Sequence, residues 1–189
     1  MDRHVSTLLP SEVDKLERMF VLGIDPGLSR CGYGLVGRRR GDGSLFAKSA
    51  GVIETDPTDA LPLRLGLLHR ELKELIDELK PEAVCVERVF FQVNARTAMS
   101  VGQASGLALS CAATAGCDVF EYTSNEVKQA VVGYGGATKK QVQEMVARVL
   151  ELTDVPSPPD VADALALGIC HMTSVRLRAA ISRARGGRL

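Results

Sequence analysis

The chain has 189 residues, of which 46% are apolar, and its 23 basic and 23 acidic side chains cancel. This length and composition predict one globular domain with its own hydrophobic core, and they exclude attraction of a polyanion by net charge alone. There is no apolar run long enough to cross a membrane and no basic-then-apolar leader at the amino terminus. We therefore expect a cytoplasmic protein without membrane contact.

The cysteines are scattered, odd in number and free of any Cys-x-x-Cys pair. This usage argues against a disulfide framework and against a thiolate zinc site, and it predicts reduced, mostly buried thiols. The residues concerned are Cys31, Cys85, Cys111, Cys117 and Cys170.

Strong patterning begins only after the first 18 residues. We expect residues 1–18 to be a poorly ordered amino-terminal extension and residues 19–189 to be a single domain with a basic carboxy-terminal tail. Apolar runs then predict three strands, joined in part by a hairpin at Gly41-Asp42-Gly43. The predicted strands are residues 20–24, 31–36 and 45–53.

Leucines at helical spacing begin at Leu61 and end at Leu79, ahead of Pro81. The apolar run at 83–86 predicts a fourth strand, which can lie parallel to the first because a helix precedes it. Further predicted elements are a strand at 118–122 and helices at 94–115, 124–132, 138–150 and 160 to about 178. The predicted fold is α/β, with a mixed five-stranded sheet of three antiparallel strands and then parallel strands, flanked by helices.

Acidic residues stand at the ends of three of these elements. Asp25 follows the first strand, Glu87 follows the fourth, and Asp160 and Asp163 open the last helix. Parallel strands would bring Asp25 and Glu87 to one edge, and a spacing of three puts the helical pair on one face. Clustered carboxylates without imidazole or thiolate suit Mg²⁺ or Mn²⁺, and two ions about 3.5–4 Å apart can catalyse phosphodiester chemistry. His171 faces elsewhere on the helix and is predicted to be structural.

Each acid also has a purely structural interpretation. Asp25 precedes a Pro-Gly turn, and Glu87 could pair with Arg88 at a strand end. Asp160 could be a helix N-cap, with Asp163 as its capping-box partner. The recurrence of acids at three separate elements favours a shared site.

Basic residues are unevenly distributed. There is no acid after Asp163, whereas Lys128, Lys139 and Lys140 precede the last acidic pair. Such a surface suits a polyanionic substrate, although a solvated helix face explains single residues equally well. The arginines that crowd the tail are Arg176, Arg178, Arg183, Arg185 and Arg188. Many small residues in the helix at 94–115 permit close helix approach, either in the core or in self-association.

Several strings resemble, in order and at the same spacing, the RuvC family of bacterial Holliday junction resolvases, within the ribonuclease H-like superfamily. The resemblance runs from about residue 19 to residue 171. Among these strings are Gly23-Ile24-Asp25-Pro26-Gly27, Val86-Glu87-Arg88-Val89-Phe90, Val127-Lys128-Gln129-Ala130-Val131-Val132-Gly133 and Ala162-Asp163-Ala164-Leu165-Ala166.

The resemblance implies a homodimeric endonuclease that nicks opposing strands of four-way junction DNA symmetrically during recombination and repair. It implies dimerisation through the helix at 94–115, two Mg²⁺ ions per subunit with Mn²⁺ as a substitute, and the RuvA and RuvB branch-migration proteins as partners. The implied metal-binding catalytic residues are Asp25, Glu87, Asp160 and Asp163. The implied DNA-binding residues are Phe90, Lys128 and Lys139, with Lys140 as a second candidate beside Lys139.

Three other interpretations of the chain are considered. An actin-like ATPase or sugar kinase also opens with a strand and an Asp-x-Gly turn, but it needs a second half that 189 residues do not supply. A second alternative is a shorter ribonuclease H-like nuclease that acts on RNA. A junction-binding protein without catalysis would need the acids only as caps.

Overall fold

The structure is a computed structural model that describes residues 19–88 and 95–186. Side chains are described for residues 19–88 and 98–175. The expected extension at residues 1–18 and the candidate DNA-binding residue Phe90 lie outside the described residues, as do the side chains of the tail arginines.

A five-stranded mixed sheet forms the centre of the molecule, in the spatial order β3-β2-β1-β4-β5. Strand β1 pairs antiparallel with β2, which pairs antiparallel with β3. On its other side β1 pairs parallel with β4, and β4 pairs parallel with β5. The strands are β1 Val21–Asp25, β2 Arg30–Arg38, β3 Leu45–Glu54, β4 Ala83–Glu87 and β5 Asp118–Tyr122. The predicted sheet is confirmed, with strand ends shifted by one or two residues.

Five helices in the described residues cover both faces of this sheet. They are α1 Leu61–Leu79, α2 Ala95–Thr114, α3 Ser124–Val132, α4 Lys139–Val149 and α5 Pro159–Gly186. The predicted end of α5 at about Arg178 is wrong, because the helix continues to Gly186. Alanine and arginine in this segment favour helix, and the first strong breaker is the glycine pair that starts at Gly186.

The sheet separates two apolar cores. On one face, Leu22 and Ile24 of β1 pack in a cluster with Leu68 and Leu72 of α1 and with the small residues of α2. On the other face, α5 packs centrally, and α3 and α4 pack against it. No helix within residues 19–88 and 95–186 is long and apolar enough to cross a membrane.

Glycines let α5 lie directly on the strands that lead to the site. A Cβ atom added at Gly23 would meet the backbone carbonyl of Ala164, and one added at Gly32 would meet the backbone of Asp160. These two contacts put the main chain of α5 against β1 and β2 with no side chain between them. The helix N-terminus is thereby held close to the end of β1.

The candidate structural residues are buried as expected. His171 is 2% exposed, and its Nδ1 lies 2.9 Å from Oη of Tyr122 at the end of β5. All five cysteines are free thiols, four of them buried and Cys117 half-buried. The predictions for His171 and the cysteines are confirmed.

Candidate active site

Two strand ends bring Asp25 and Glu87 together. Ile24 of β1 pairs in parallel register with Val86 of β4, and the next residue on each strand is an acid. Because both strands point the same way, both carboxylates leave the sheet at the same edge. Each is half-buried.

The amino-terminal end of α5 brings two more acids to this edge, Asp160 in the first turn and Asp163 three residues further on. Gly32 of β2 pairs with Asp25 of β1. The backbone of Asp160 occupies the space in which a side chain at Gly32 would lie. Asp160 lies inside the first helical turn, after Pro159, and is therefore not the N-cap that the structural interpretation required. Its negative charge still favours the helix N-terminus.

The four carboxylates interact electrostatically. Burial raises the pKa of Asp25 to about 7, and the charges of Asp163, Glu87 and Asp160 add to that rise in this order. Burial also raises the pKa of Glu87, with Asp163 as a further cause. Like charges at short range disfavour simultaneous ionisation, so this arrangement favours a bound cation or a proton. Acids on three separate elements therefore form one negatively charged cluster.

Lys139 supplies the positive charge nearest to this cluster. Its Nζ donates to Oδ2 of Asp163 at 2.6 Å. Burial opposes the charged form of Lys139, but the hydrogen bond to Asp163 and the charges of Asp25 and Asp160 raise its pKa overall. The capping box formed by Thr138 and Gln141 fixes the start of α4 and so places Lys139 in the first turn.

A cavity of about 250 Å³ opens beside the cluster. Its polar lining comes from Glu87, Ser124, Lys128, Lys139 and Asp163, and its apolar wall comes from α3, α4 and α5. The Ser124 hydroxyl is hydrogen-bonded to Glu87 and, together with Lys139 and Lys128, counteracts the rise in the pKa of that carboxyl. The cavity therefore joins an acidic wall to a basic one, as a phosphate-containing substrate would require.

The donor chemistry fits a hard divalent cation. Burial raises the pKa of the nearby Cys31 thiol to about 12, so it remains protonated and the carboxylate oxygens are the available ligands. As the side chains stand, however, no three His, Cys, Asp or Glu residues in the described parts of the chain are arranged to hold a metal ion. Lys139 contacts Asp163 instead. The four acids therefore interact electrostatically with one another, while one of them, Asp163, contacts the ammonium group of Lys139.

The remaining candidates differ in their positions. Lys128 lines the cavity, whereas Lys140, 84% exposed, lies 3.8 Å from Glu144 on the same helix. Of the two adjacent lysines, Lys139 is thus the one that reaches the carboxylates. Sequence reasoning missed Ser124, whose only signal was the Thr-x-x-Glu capping pattern that starts α3 one residue after Thr123.

A mixed sheet of this topology, with acids from β1, β4 and the last helix at one edge, defines a nuclease of the ribonuclease H-like class. Residues 21–171 match the family described as crossover junction endodeoxyribonuclease RuvC. The protein of that name from Salinispora arenicola is 52% identical over 174 residues, which cover 89% of this chain and 98% of the relative. The chain belongs to the RuvC family of crossover junction endodeoxyribonucleases.

Solved structures agree with this assignment. The Thermus thermophilus RuvC structure superimposes with a TM-score of 0.77 at 37% identity, covering 84% of this chain and 96% of that one. The T. thermophilus RuvC in complex with Holliday junction substrate gives a TM-score of 0.76 at 34% identity, with the same coverage. The family consists of metal-dependent nucleases, so the ATPase, the RNA-directed nuclease and the non-catalytic interpretations are set aside.

Proposed function

We propose that the carboxylates of Asp25, Glu87, Asp160 and Asp163 form the catalytic centre with which this chain nicks opposing strands of a four-way DNA junction. The observation that carries this proposal is that the ends of β1 and β4 and the start of α5 meet at one sheet edge. In keeping with this, burial raises the pKa of Asp25 to about 7, and the charges of the other three acids add to the rise. Structural caps or surface ion pairs would not require acids from three elements to interact with one another. A shared cation site, in contrast, requires its acidic ligands to lie close enough to interact.

These four side chains would hold Mg²⁺, with Mn²⁺ as a substitute and two ions per subunit. When bound, the ions supply activation of a water molecule and stabilisation of the departing oxygen. An ion that binds Oδ2 of Asp163 would replace the contact of that oxygen with Lys139. Asp163 is half-buried near the start of α5, and rotation about its side-chain torsions is the movement by which it would make that exchange.

The lysines of the cavity would hold the DNA backbone. Lys128 on α3 and Lys139 on α4 line the same cavity as Glu87 and Asp163, so a phosphate drawn to the lysines would be presented to the acids. Once released from Asp163, Lys139 can donate to a phosphate oxygen and stabilise the charge that develops there. Ser124 would keep the Glu87 carboxylate oriented through its hydrogen bond.

Dimerisation is proposed to use the outward face of α2. The inward face is buried against α1 and the sheet and includes Ala104, Ala108 and Ala112. The outward face carries Met99, which is 66% exposed, and two glycines around which a Cβ atom would meet nothing within 4 Å, namely Gly102 and Gly106. The small residues on the inward face thus serve core packing, and those on the outward face are available for self-association.

Other parts of the proposal rest on family membership. They are a base-stacking or wedging role for Phe90, collaboration with the RuvA and RuvB branch-migration proteins, and a cytoplasmic location. A single nuclease domain over residues 19–189 is proposed on the same ground, with the tail arginines as added DNA contacts.

The test is cleavage of a mobile four-way junction, a linear duplex of the same sequence and an RNA–DNA hybrid, each with and without Mg²⁺. We expect paired nicks at symmetric positions on the junction alone, and only with the metal. Equal cutting of duplex or hybrid would contradict the proposed substrate, and cutting in the presence of a chelator would contradict the proposed metal centre.

A further inference from the structure

Tyr134 carries an exposed aromatic ring on the loop between α3 and α4. Its exposed fraction is 68%, whereas the other aromatic side chains that the structure describes are buried or half-buried. A ring gains most from being covered, and Tyr combines an apolar face with a polar tip that suits an interface. The chain therefore presents a contact surface here that its own core does not use.

The loop that carries Tyr134 holds the ring in place. Gly133 ends α3 in the left-handed conformation at φ 81°. A Cβ atom at Gly136 would lie 2.6 Å from Cζ of the Tyr134 ring, so the ring lies across a residue that has no side chain. The N–H of Ala137 donates to the Tyr134 carbonyl at 3.2 Å, and Ala137 is buried. The ring is thus positioned by a closed turn and remains open to solvent.

The loop at residues 133–138 connects α3 and α4, two helices that line the cavity. Gly135 lies against the side-chain oxygen of Asn125, and the residue before Asn125 is Ser124, which is hydrogen-bonded to Glu87. At its other end the loop enters α4, whose first residue Lys139 contacts Asp163. The loop at residues 133–138 therefore borders the cavity on the side of α3 and α4.

The charge of this border indicates the kind of partner. The segment 127–143 contains Lys128, Lys139 and Lys140 and no acidic residue. Lysines attract a phosphate backbone, and an exposed ring between them can stack on a base without reading its sequence. An apolar protein partner would not need the lysines, and a small anion would not need the ring. Single-stranded or unpaired DNA uses both.

We propose that Tyr134 stacks on a nucleobase of the DNA strand whose phosphate is held by Lys128 and Lys139. This inference rests on the proposed function, and it adds to that function an aromatic contact on the α3–α4 side of the cavity. Stacking here fixes the strand on the basic wall, while the acids on the opposite wall remain free for the reacting phosphate. Tyr134 is thus a substrate-positioning residue.

The absence of tryptophan from the sequence permits a direct optical test. The substitution Tyr134→Trp introduces one indole at the proposed contact. The control Leu63→Trp introduces one at a similarly exposed position, since Leu63 is 66% exposed, but on α1, across the sheet. In the presence of a chelator, we expect a four-way junction to quench the indole at position 134 and to leave the indole at position 63 unchanged, because stacking on a base quenches indole emission. Equal quenching at both positions, or none at position 134, would overturn the inference.

Affinity provides a second measurement on the same surface. We expect Tyr134→Ala to weaken junction binding about 5- to 150-fold, the range of one aromatic–base stack, and Tyr134→Phe to bind as the wild type does. Unchanged binding by Tyr134→Ala would contradict stacking, and so would an equal loss in Tyr134→Phe. If the wild type itself neither binds nor cuts junctions, the proposed function fails; if it does both while the position-134 variants match it, only this inference fails.

Discussion

The ammonium group of Lys139 lies 2.6 Å from Oδ2 of Asp163, where one of the four clustered carboxylates meets a cation that belongs to the chain itself. Lys139 is also coupled to Asp25 and Asp160. A divalent ion that binds Oδ2 of Asp163 would displace this lysine, and one that binds the other oxygen would lie close to its positive charge. Metal binding and the position of Lys139 are thus linked.

This linkage predicts a gain in metal affinity when the lysine is removed. We expect Lys139→Gln to bind Mn²⁺ about two- to five-fold more tightly in the absence of DNA, a change of the size expected for a partly exposed ion pair. The same variant should cut junctions more slowly, because it lacks a phosphate contact. Titration calorimetry and a single-turnover cleavage assay measure the two effects.

The control for this prediction is the neighbouring lysine. Lys140→Gln removes the same formal charge one residue away, from a side chain that lies near Glu144 and not near the cluster. It should leave Mn²⁺ affinity nearly unchanged. An equal gain in both variants would mean that general charge, and not displacement of Lys139, controls the affinity.

The raised pKa of Asp25 predicts a pH dependence of stability. The pKa rises from 3.8 to about 7, so the folded chain binds this proton more tightly than the unfolded chain. Protonation of Asp25 therefore stabilises the folded state fully below pH 4. As the pH rises towards 7 this contribution is lost, and the free energy of unfolding falls by about 4 kcal/mol at most. Urea unfolding of the metal-free protein at several pH values measures this slope.

A neutral side chain at position 25 should remove this dependence of the free energy of unfolding on pH. We expect Asp25→Asn to be more stable than the wild type at pH 8 without metal, and to show no such gain at pH 4. Adding Mg²⁺ should reduce the difference in stability between the two proteins at pH 8, because the metal ion binds the wild type more tightly and stabilises it more. A wild type and a variant with parallel pH profiles would show that Asp25 does not carry the repulsion.

Glu87 tests whether binding and catalysis are separable. We expect Glu87→Gln to abolish cleavage while junction affinity stays within about two-fold of the wild type, because the basic wall of the cavity is unchanged. Gel-shift titration without divalent metal measures the affinity. A comparable loss of binding would instead assign Glu87 a structural role at the end of β4.

Gly32 tests how α5 is held at the site. A Cβ atom here would meet the backbone of Asp160, so we expect Gly32→Ala to destabilise the fold by about 1–3 kcal/mol and to displace the acidic turn. Gly66 in α1 is the matched control, since nothing lies within 4 Å of a Cβ atom there. Gly66→Ala should stabilise the chain slightly, by roughly 0.5–1 kcal/mol. Thermal unfolding of both variants would show opposite shifts, and shifts of the same sign would contradict the close contact at Gly32.

Much of the fold follows from local pattern. The proximity of Asp25 and Glu87 is predictable because the helix before β4 allows that strand to lie parallel to β1, and the carboxyl ends of parallel strands meet at one edge. The pairing of Asp160 with Asp163 follows from helical geometry. These rules need only the order and spacing of residues.

The rest depends on packing that no single segment encodes. Lys139, and not Lys140, reaches Asp163 because the rotation of α4 about its axis is fixed by the Thr138 cap and by burial of Val142 and Val146. The role of Gly32 appears only once α5 lies on β2. The contact of Gly32 with Asp160 joins residues more than 100 positions apart in the sequence.

The central claim is that acids from β1, β4 and α5 form one divalent-cation site, and calorimetric titration of Mn²⁺ tests it most directly. The variants Asp25→Asn, Glu87→Gln and Asp163→Asn should each lose at least about 10-fold in affinity. The exposed Glu121→Gln, on the strand beside β4, should match the wild type. If the three site variants retained wild-type affinity, or if Glu121→Gln lost as much as they did, the shared site would be contradicted.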